Sequence, residues 1–217
     1  MRSKNQSNTA ASSFIETARR TQIIECAIDV IAQLGYGQAS LAQIAKRLNI
    51  SKGVISYHFK SKDELIRQVI LEVIHARSDF VQPRLDAETT ASAKLERYIR
   101  LSIDFIRTSP TQLQALVEIF TNFRTKEGKL HIDLIANERP RAALEAILEE
   151  GLRQGEFRPF SISVMAIAIQ ASINGILAQW IAIGQVDLDE FEEELVTLFA
   201  AATRHPALPS AQGVEPR

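Results

Sequence analysis

Cysteine is almost absent from this chain: Cys26 stands alone, which excludes an internal disulfide and fits a reducing compartment such as the cytoplasm. It lies in an apolar helical pattern between Ile23 and Val30, so it reads as a small buried hydrophobe; a redox sensor would need exposure and a neighbouring base. Helix breakers are scarce as well. Only 9 Gly and 7 Pro occur in 217 residues, several of them in the two ends and evident loops, so long stretches run uninterrupted. No run of Val, Ile or Thr alternates between turn signals, and strands have no support. The four histidines, His58, His75, His131 and His205, show no metal-ligand spacing. A Gly-rich phosphate loop and a Gly-x-Ser-x-Gly elbow are missing too. These absences argue against an enzyme, and neither a cofactor nor a metal is expected.

What remains is an all-α chain of about nine helices. Hydrophobic residues make up 46% and charged ones 24%, ordinary for a soluble protein with a sizeable core. Residues 1–13 are small and polar, without the apolar segment of a signal peptide, and read as a disordered tail. Residues 205–217, rich in Pro, Ala and Gly, read the same way. The net charge of −1 conceals an asymmetry: residues 1–75 carry 10 Lys/Arg against 6 Asp/Glu, and residues 76–217 carry 15 against 20. A basic front suits a polyanionic partner.

The first helix is expected from Phe14 to Leu34, with Ile24, Ala27, Ile28, Ile31 and Leu34 at helical spacing and Gly35 as its stop. Ser40 and Gln43 form a capping box, each side chain satisfying the other's backbone N–H, at the head of a short helix Leu41–Leu48. After Asn49-Ile50-Ser51 a second short helix spans Lys52 to Phe59. Ser61 and Glu64 make another box, opening a longer helix towards Phe80, with Pro83 as its end. Leu95, Tyr98, Ile99, Ser102 and Phe105 mark the next, closed by Pro110. Leu113, Leu116, Val117, Phe120 and Phe123 mark another, and Glu138 to Gln154 a further one ended by Gly155. Whether Leu130 to Ala136 adds a turn of helix is open. An uncharged helix starts at Ser161, and a last one, Asp189 to Thr203, has an acidic first turn that complements the helix dipole.

Two short helices joined by a tight turn make a helix-turn-helix unit, whose second helix can enter the major groove. Leu41, Ile44, Ala45 and Leu48 pack its first helix inward, and Ile50 and Ile55 fill the angle between the two. Lys52, Gly53, Ser56 and Tyr57 are left facing outward: donors, a residue without a side chain and an aromatic, suited to base edges and phosphates. Through Ile50, Ser51, Gly53, Ile55, His58, Phe59, Lys60, Lys62 and Leu65, residues 40–65 resemble the DNA-binding domain of the TetR family of bacterial regulators. Ser56 stands where that family usually has tyrosine, with Tyr57 beside it.

The resemblance implies that Lys52, Gly53, Val54 and Tyr57 lie closest to bases. Tyr57, His58 and Lys62, with Ser40, Thr21 and Gln43, would hold the phosphate backbone, and Ser56 shares that surface. It also implies a layout: residues 14–60 as the helix-turn-helix domain, and residues 61–204 as a helical domain for ligand binding and dimerisation. Gly-Glu-Phe-Arg-Pro at 155–159, followed by a long apolar helix, belongs to the likeness. A pocket for a small apolar or aromatic ligand is implied among the middle helices, with Tyr98, Phe105, Glu118, Phe120, Asn122, Phe123, Gln170 and Asn174 as candidate lining.

From Val164 to Gly184 no residue is charged, a stretch long enough to cross a bilayer. Gln170, Ser172, Asn174 and Gln179 oppose that reading, as does the lack of flanking Lys/Arg clusters, so no membrane partner is expected. Burial between its own domain and a twin subunit accounts for the helix better. Ile169, Ile173, Ile176 and Trp180, with Phe191, Leu195, Leu198 and Phe199 of the last helix, are expected at a homodimer interface. A twofold dimer would present two recognition helices to a pseudo-palindromic operator in double-stranded DNA. The expected function is a repressor released from its operator by the ligand, through a population shift. A regulator of the same fold without a ligand, or one that activates, stays open.

Overall fold

The computed structural model describes residues 3–124, 141–184 and 186–205. Among them are nine α-helices and no strand: α1 (Ser3–Leu34), α2 (Leu41–Arg47), α3 (Lys52–His58), α4 (Lys62–Leu85), α5 (Ala91–Thr108), α6 (Pro110–Asn122), α7 (Ala142–Gln154), α8 (Ile162–Ile183) and α9 (Leu188–Thr203). The sequence reading of Leu130–Ala136, of Glu138–Pro140 and of the tail beyond His205 falls outside the described residues.

Local chemistry explains most helix ends. Gly35, at φ +81°, takes the left-handed conformation that closes α1, and its N–H returns to the Ile31 carbonyl at 2.9 Å. Ser40 caps α2, its Oγ accepting the Gln43 N–H at 3.1 Å. The reciprocal half of the expected capping box is absent, because the Ser40 N–H bonds the Gln38 carbonyl at 2.9 Å instead. At α4 the box is displaced by one residue: Ser61 Oγ takes the Glu64 N–H, while the Glu64 carboxylate takes the N–H of Lys60 at 2.8 Å.

Two ends differ from expectation. α1 begins at Ser3, not Phe14, so the polar stretch expected as a tail is helical from Ser3 on; neither Gly nor Pro interrupts residues 3–34. α4 runs through Pro83 to Leu85. In the last turn the missing proline N–H sacrifices one bond and ends nothing by itself.

The packing forms two compact units. The first holds α1 to α3, α4 as far as Asp79, and α6; the second holds α4 from Phe80, α5 and α7 to α9. This packing division differs from the expected division by role after residue 60. The reason lies in α6, whose Leu113, Ala115 and Ile119 are buried and which makes with α1 the most extensive helix pair among the described residues. The two short helices α2 and α3 cannot cover the apolar face of α1 alone, and α6 supplies the missing wall.

In the second unit Leu95, Tyr98, Ile99, Leu101 and Ile103 of α5 are buried, together with Leu144 and Leu148 of α7 and Ala166, Ile169 and Ile173 of α8. The 155–159 segment pins three helices here. Glu156 Oε1 accepts the Ala91 N–H at 3.0 Å and Oε2 the Ser92 N–H at 2.9 Å, capping α5 from a distant part of the chain. Phe157 lies buried against Gly151 of α7, so closely that a Cβ there would meet the ring at 2.2 Å. Arg158 donates from its backbone N–H to the Thr203 carbonyl at 2.9 Å and from Nε to that of Ala202 at 2.7 Å. Arg100 of α5, bonded to Glu192 and Glu193 of α9, adds an ion-paired edge; its guanidinium holds the Glu193 carboxyl below the usual range.

Candidate nucleic-acid interface

α3 is built to show one face and bury the other. Ile55 is fully buried, as is Phe59 directly after the helix, while Lys52, Gly53, Val54, Ser56 and Tyr57 are exposed, Tyr57 at 74%. Apolar anchors four residues apart share a helical face, so the residues between them must point away. The N-cap is Ser51, whose Oγ accepts the Val54 N–H. The far end is held by Arg20 of α1, which donates to the His58 carbonyl and lies over the Phe59 ring at 4.4 Å. Sequence reasoning missed Arg20; its signal, a basic residue one turn before the buried Ile23 and Ile24, is common on helix surfaces.

The other expected DNA contacts sort by exposure. Thr21 and Ser40 are exposed, Thr21 Oγ1 donating to the Thr17 carbonyl within α1 at 3.3 Å. Gln43 and His58 are half-buried. The His58 Nδ1 is buried without a hydrogen-bond partner among the described residues, and its ring meets the Tyr57 ring edge-on at 5.0 Å. Lys62 departs most from expectation. Its ammonium donates to the Tyr36 carbonyl at 2.8 Å and lies 4.1 Å from the centre of the Tyr36 ring, and burial lowers its pKa. In this geometry Lys62 is a brace between the start of α4 and the α1–α2 loop, with its charge turned to the protein.

The eight residues expected around a ligand are distributed over the two units. Glu118, Phe120, Asn122 and Phe123 belong to the first unit, and Tyr98, Phe105, Gln170 and Asn174 to the second. Phe120 and Asn122 are exposed, because α6 turns Leu113, Ala115 and Ile119 inward. Glu118 accepts the Tyr36 N–H at 3.1 Å, and Phe123 packs on the Tyr36 ring with centroids 5.8 Å apart. Tyr98 is a core residue whose hydroxyl donates to Gln170 Oε1 at 3.2 Å, and Gln170 Nε2 donates to Asn174 Oδ1 at 3.0 Å. Phe105 is buried beside Phe80. Cavities of about 310 and 180 Å³ lie within the second unit, and none of the eight residues lines either.

The expected dimer residues also differ in exposure. Ile169, Ile173, Ile176, Leu195 and Phe199 are buried within the protomer, and Trp180 and Phe191 are half-buried; Leu198 alone is exposed, at 56%. The protomer's own core claims the bulky stripe of α8. Its outward stripe is Val164, Ala168, Ala171, Gly175, Ala178 and Ala182, all exposed and spaced alternately by four and three residues. That is the spacing of a helix–helix seam, and its small side chains permit close backbone approach. Among the described residues α8 is also the one helix long and apolar enough to cross a membrane.

A buried-anchor helix with an exposed polar and aromatic face, packed on a capped partner helix, defines a helix-turn-helix unit within an all-α protein. Residues 23–69 match the model of the bacterial regulatory proteins of the tetR family. The likeness to the TetR family rests on this domain. It is 31% identical over 103 residues to the HTH-type transcriptional regulator BetI of Klebsiella pneumoniae, a match covering 46% of this chain and 53% of that protein. The chain thus spans about half the length of the curated relatives it matches first. Its fold is shared more widely. The fatty acid degradation regulator FadR from Bacillus halodurans superposes with a TM-score of 0.74 at 19% identity, over 84% of this chain and 94% of that one. AibR, solved in complex with isovaleryl coenzyme A and operator DNA, superposes with a TM-score of 0.68 at 18% identity, over 83% and 97%.

Proposed function

We propose that this protein is a transcriptional regulator that binds a pseudo-palindromic operator as a homodimer and acts as a repressor released by a small apolar or aromatic molecule. The observation that carries the DNA-binding part is the outward face of α3, where Lys52, Gly53, Val54, Ser56 and Tyr57 stand exposed over buried Ile55 and Phe59. Phosphate contacts fix register and base contacts specify, and this face offers groups for both. The exposed small-residue seam of α8 supports the homodimer, because a second copy of the same stripe is self-complementary about a twofold axis. A cytoplasmic location follows from an operator as partner, and the one cysteine, a buried thiol, accords with it.

For the ligand, the line Tyr98–Gln170–Asn174 is the part of the expected lining that one unit brings together, and AibR shows that a protein of this fold can carry both an acyl-coenzyme A and an operator. A second reading, a regulator not controlled by a ligand, is favoured by the scattering of the remaining candidates. A thermal-shift series with apolar, aromatic and acyl-thioester compounds separates the two. The DNA-binding part is tested with a palindromic fragment from the protein's own promoter region. Affinity should fall steeply with salt, the logarithmic slope dropping by about one for each phosphate contact removed. An affinity indifferent to salt would defeat it.

A further inference from the structure

One residue outside the recognition helix gathers contacts from two other helices. Tyr36, between Gly35 and Gly37 in the loop from α1 to α2, donates its N–H to Glu118 of α6 at 3.1 Å. It accepts at its carbonyl from Lys62 of α4 at 2.8 Å. Its ring lies between the Lys62 ammonium, 4.1 Å from the ring centre, and Phe123 at the end of α6. Glu118 is itself steadied, its Oε2 accepting from Asn122 Nδ2 at 3.3 Å. Gly35 leaves little space above that carboxylate: a Cβ there would stand 3.3 Å from Oε2. An anionic acceptor and a cationic donor thus grip opposite sides of one loop residue, four positions before Ser40, the N-cap of α2.

We propose that Glu118 is a positioning residue for DNA binding: it holds the Tyr36 N–H, so that the placement of α6 sets the placement of the helix-turn-helix. This rests on the reading that α3 meets DNA, and it assigns Glu118 to the reading head and not to a ligand pocket. Charge-assisted bonds are the strong ones, and this bond acts on backbone and not on a mobile side chain. The loop leads directly into α2, which packs on α3, and Lys62 follows α3 by a few residues, so displacement of Tyr36 is felt at both ends of the recognition unit. The phenolic hydroxyl has no part in the grip.

The sign of the effect separates positioning from simple electrostatics. Removing a carboxylate from a DNA-binding protein ought to strengthen its hold on a polyanion. Glu118→Ala should instead weaken operator binding by about tenfold and flatten the salt dependence, because fewer phosphates are met. Glu118→Gln keeps a carbonyl acceptor for the Tyr36 N–H and should bind within about twofold of wild type or tighter. Tyr36→Phe should match wild type. The full chain is used throughout, with the promoter fragment as probe and sedimentation reporting the dimer. If wild type does not bind the fragment, the DNA-binding reading itself fails. If wild type binds and Glu118→Ala equals or exceeds it, or Glu118→Gln falls as far as Glu118→Ala, the positioning role is overturned. Should Glu118→Ala not fold, Glu118→Asp, whose shorter side chain draws the carboxylate back from the Tyr36 N–H while keeping its charge, takes its place; operator binding equal to wild type then overturns the proposal.

Discussion

Tyr57 and Ile55 sit two residues apart on α3, and truncating each to alanine should have opposite consequences. Ile55 is fully buried, so Ile55→Ala removes three methyl or methylene carbons' worth of packing and leaves a void under the recognition helix. Core truncations of this kind cost about 2–5 kcal/mol. At roughly 2–4 °C per kcal/mol for a chain of this size, the melting temperature should drop by about 4–20 °C. Tyr57 is 74% exposed and packs only edge-on against His58, so its loss should change stability by no more than about 0.5 kcal/mol. Its effect belongs to DNA: a lost base or backbone contact is worth about 1–3 kcal/mol, or roughly 5- to 150-fold in affinity. The assays are thermal denaturation, sedimentation and titration of the promoter fragment, run on both variants. The reasoning is refuted if Tyr57→Ala melts as low as Ile55→Ala, dissociates the dimer, or binds the fragment like wild type.

Other outcomes follow from the second unit. Gly151→Ala gains about 1 kcal/mol of helix propensity but drives a Cβ to 2.2 Å from the buried Phe157 ring, an overpacking of about 1–3 kcal/mol; a lower melting temperature is expected, and a higher one would show that the ring moves freely. Burial pushes the Glu156 carboxyl up, but the N–H groups of Ser92 and Ala91 outweigh it and hold the pKa below its ordinary value of 4.5. Its capping contribution is therefore complete above that value and is lost as the pH falls through the lowered one. The stability gap between wild type and Glu156→Gln, read by denaturant titration, should close towards acid pH; a gap that widened there would contradict the assignment. Ala171→Glu places a charge in the exposed seam of α8 and should yield a folded monomer by sedimentation with weakened operator binding, whereas an intact dimer would move the interface elsewhere.

Where the chain's order was legible, local chemistry carried it. Ile44, Ala45, Ile55 and Phe59 are buried because helical spacing leaves them one face to share, and the outward set on α3 follows by exclusion. Gly35 and Gly155 stop their helices through backbone freedom that no neighbour supplies. These are properties of a few consecutive residues, so the helices, the helix-turn-helix and its reading face could be inferred without coordinates. Roles that depend on which helix meets which could not. Glu118 is polar on an apolar helix, a pattern equally suited to a ligand and to a distant backbone N–H, and only the packing of α6 on α1 brought it to Tyr36. The spacing that marks Lys62 for a phosphate contact gives no sign of the Tyr36 carbonyl and ring that the fold places against its ammonium. α8 is uncharged on every side, so its sequence could not say which stripe the protomer keeps; Ile169, Ile173 and Ile176 went inward, where burying their larger area is worth most, while Ile167, Ile183 and the small residues were left outside. The sequence alone determined an all-α chain with a helix-turn-helix and the outward face of its second helix, while tertiary packing decided how that face is held.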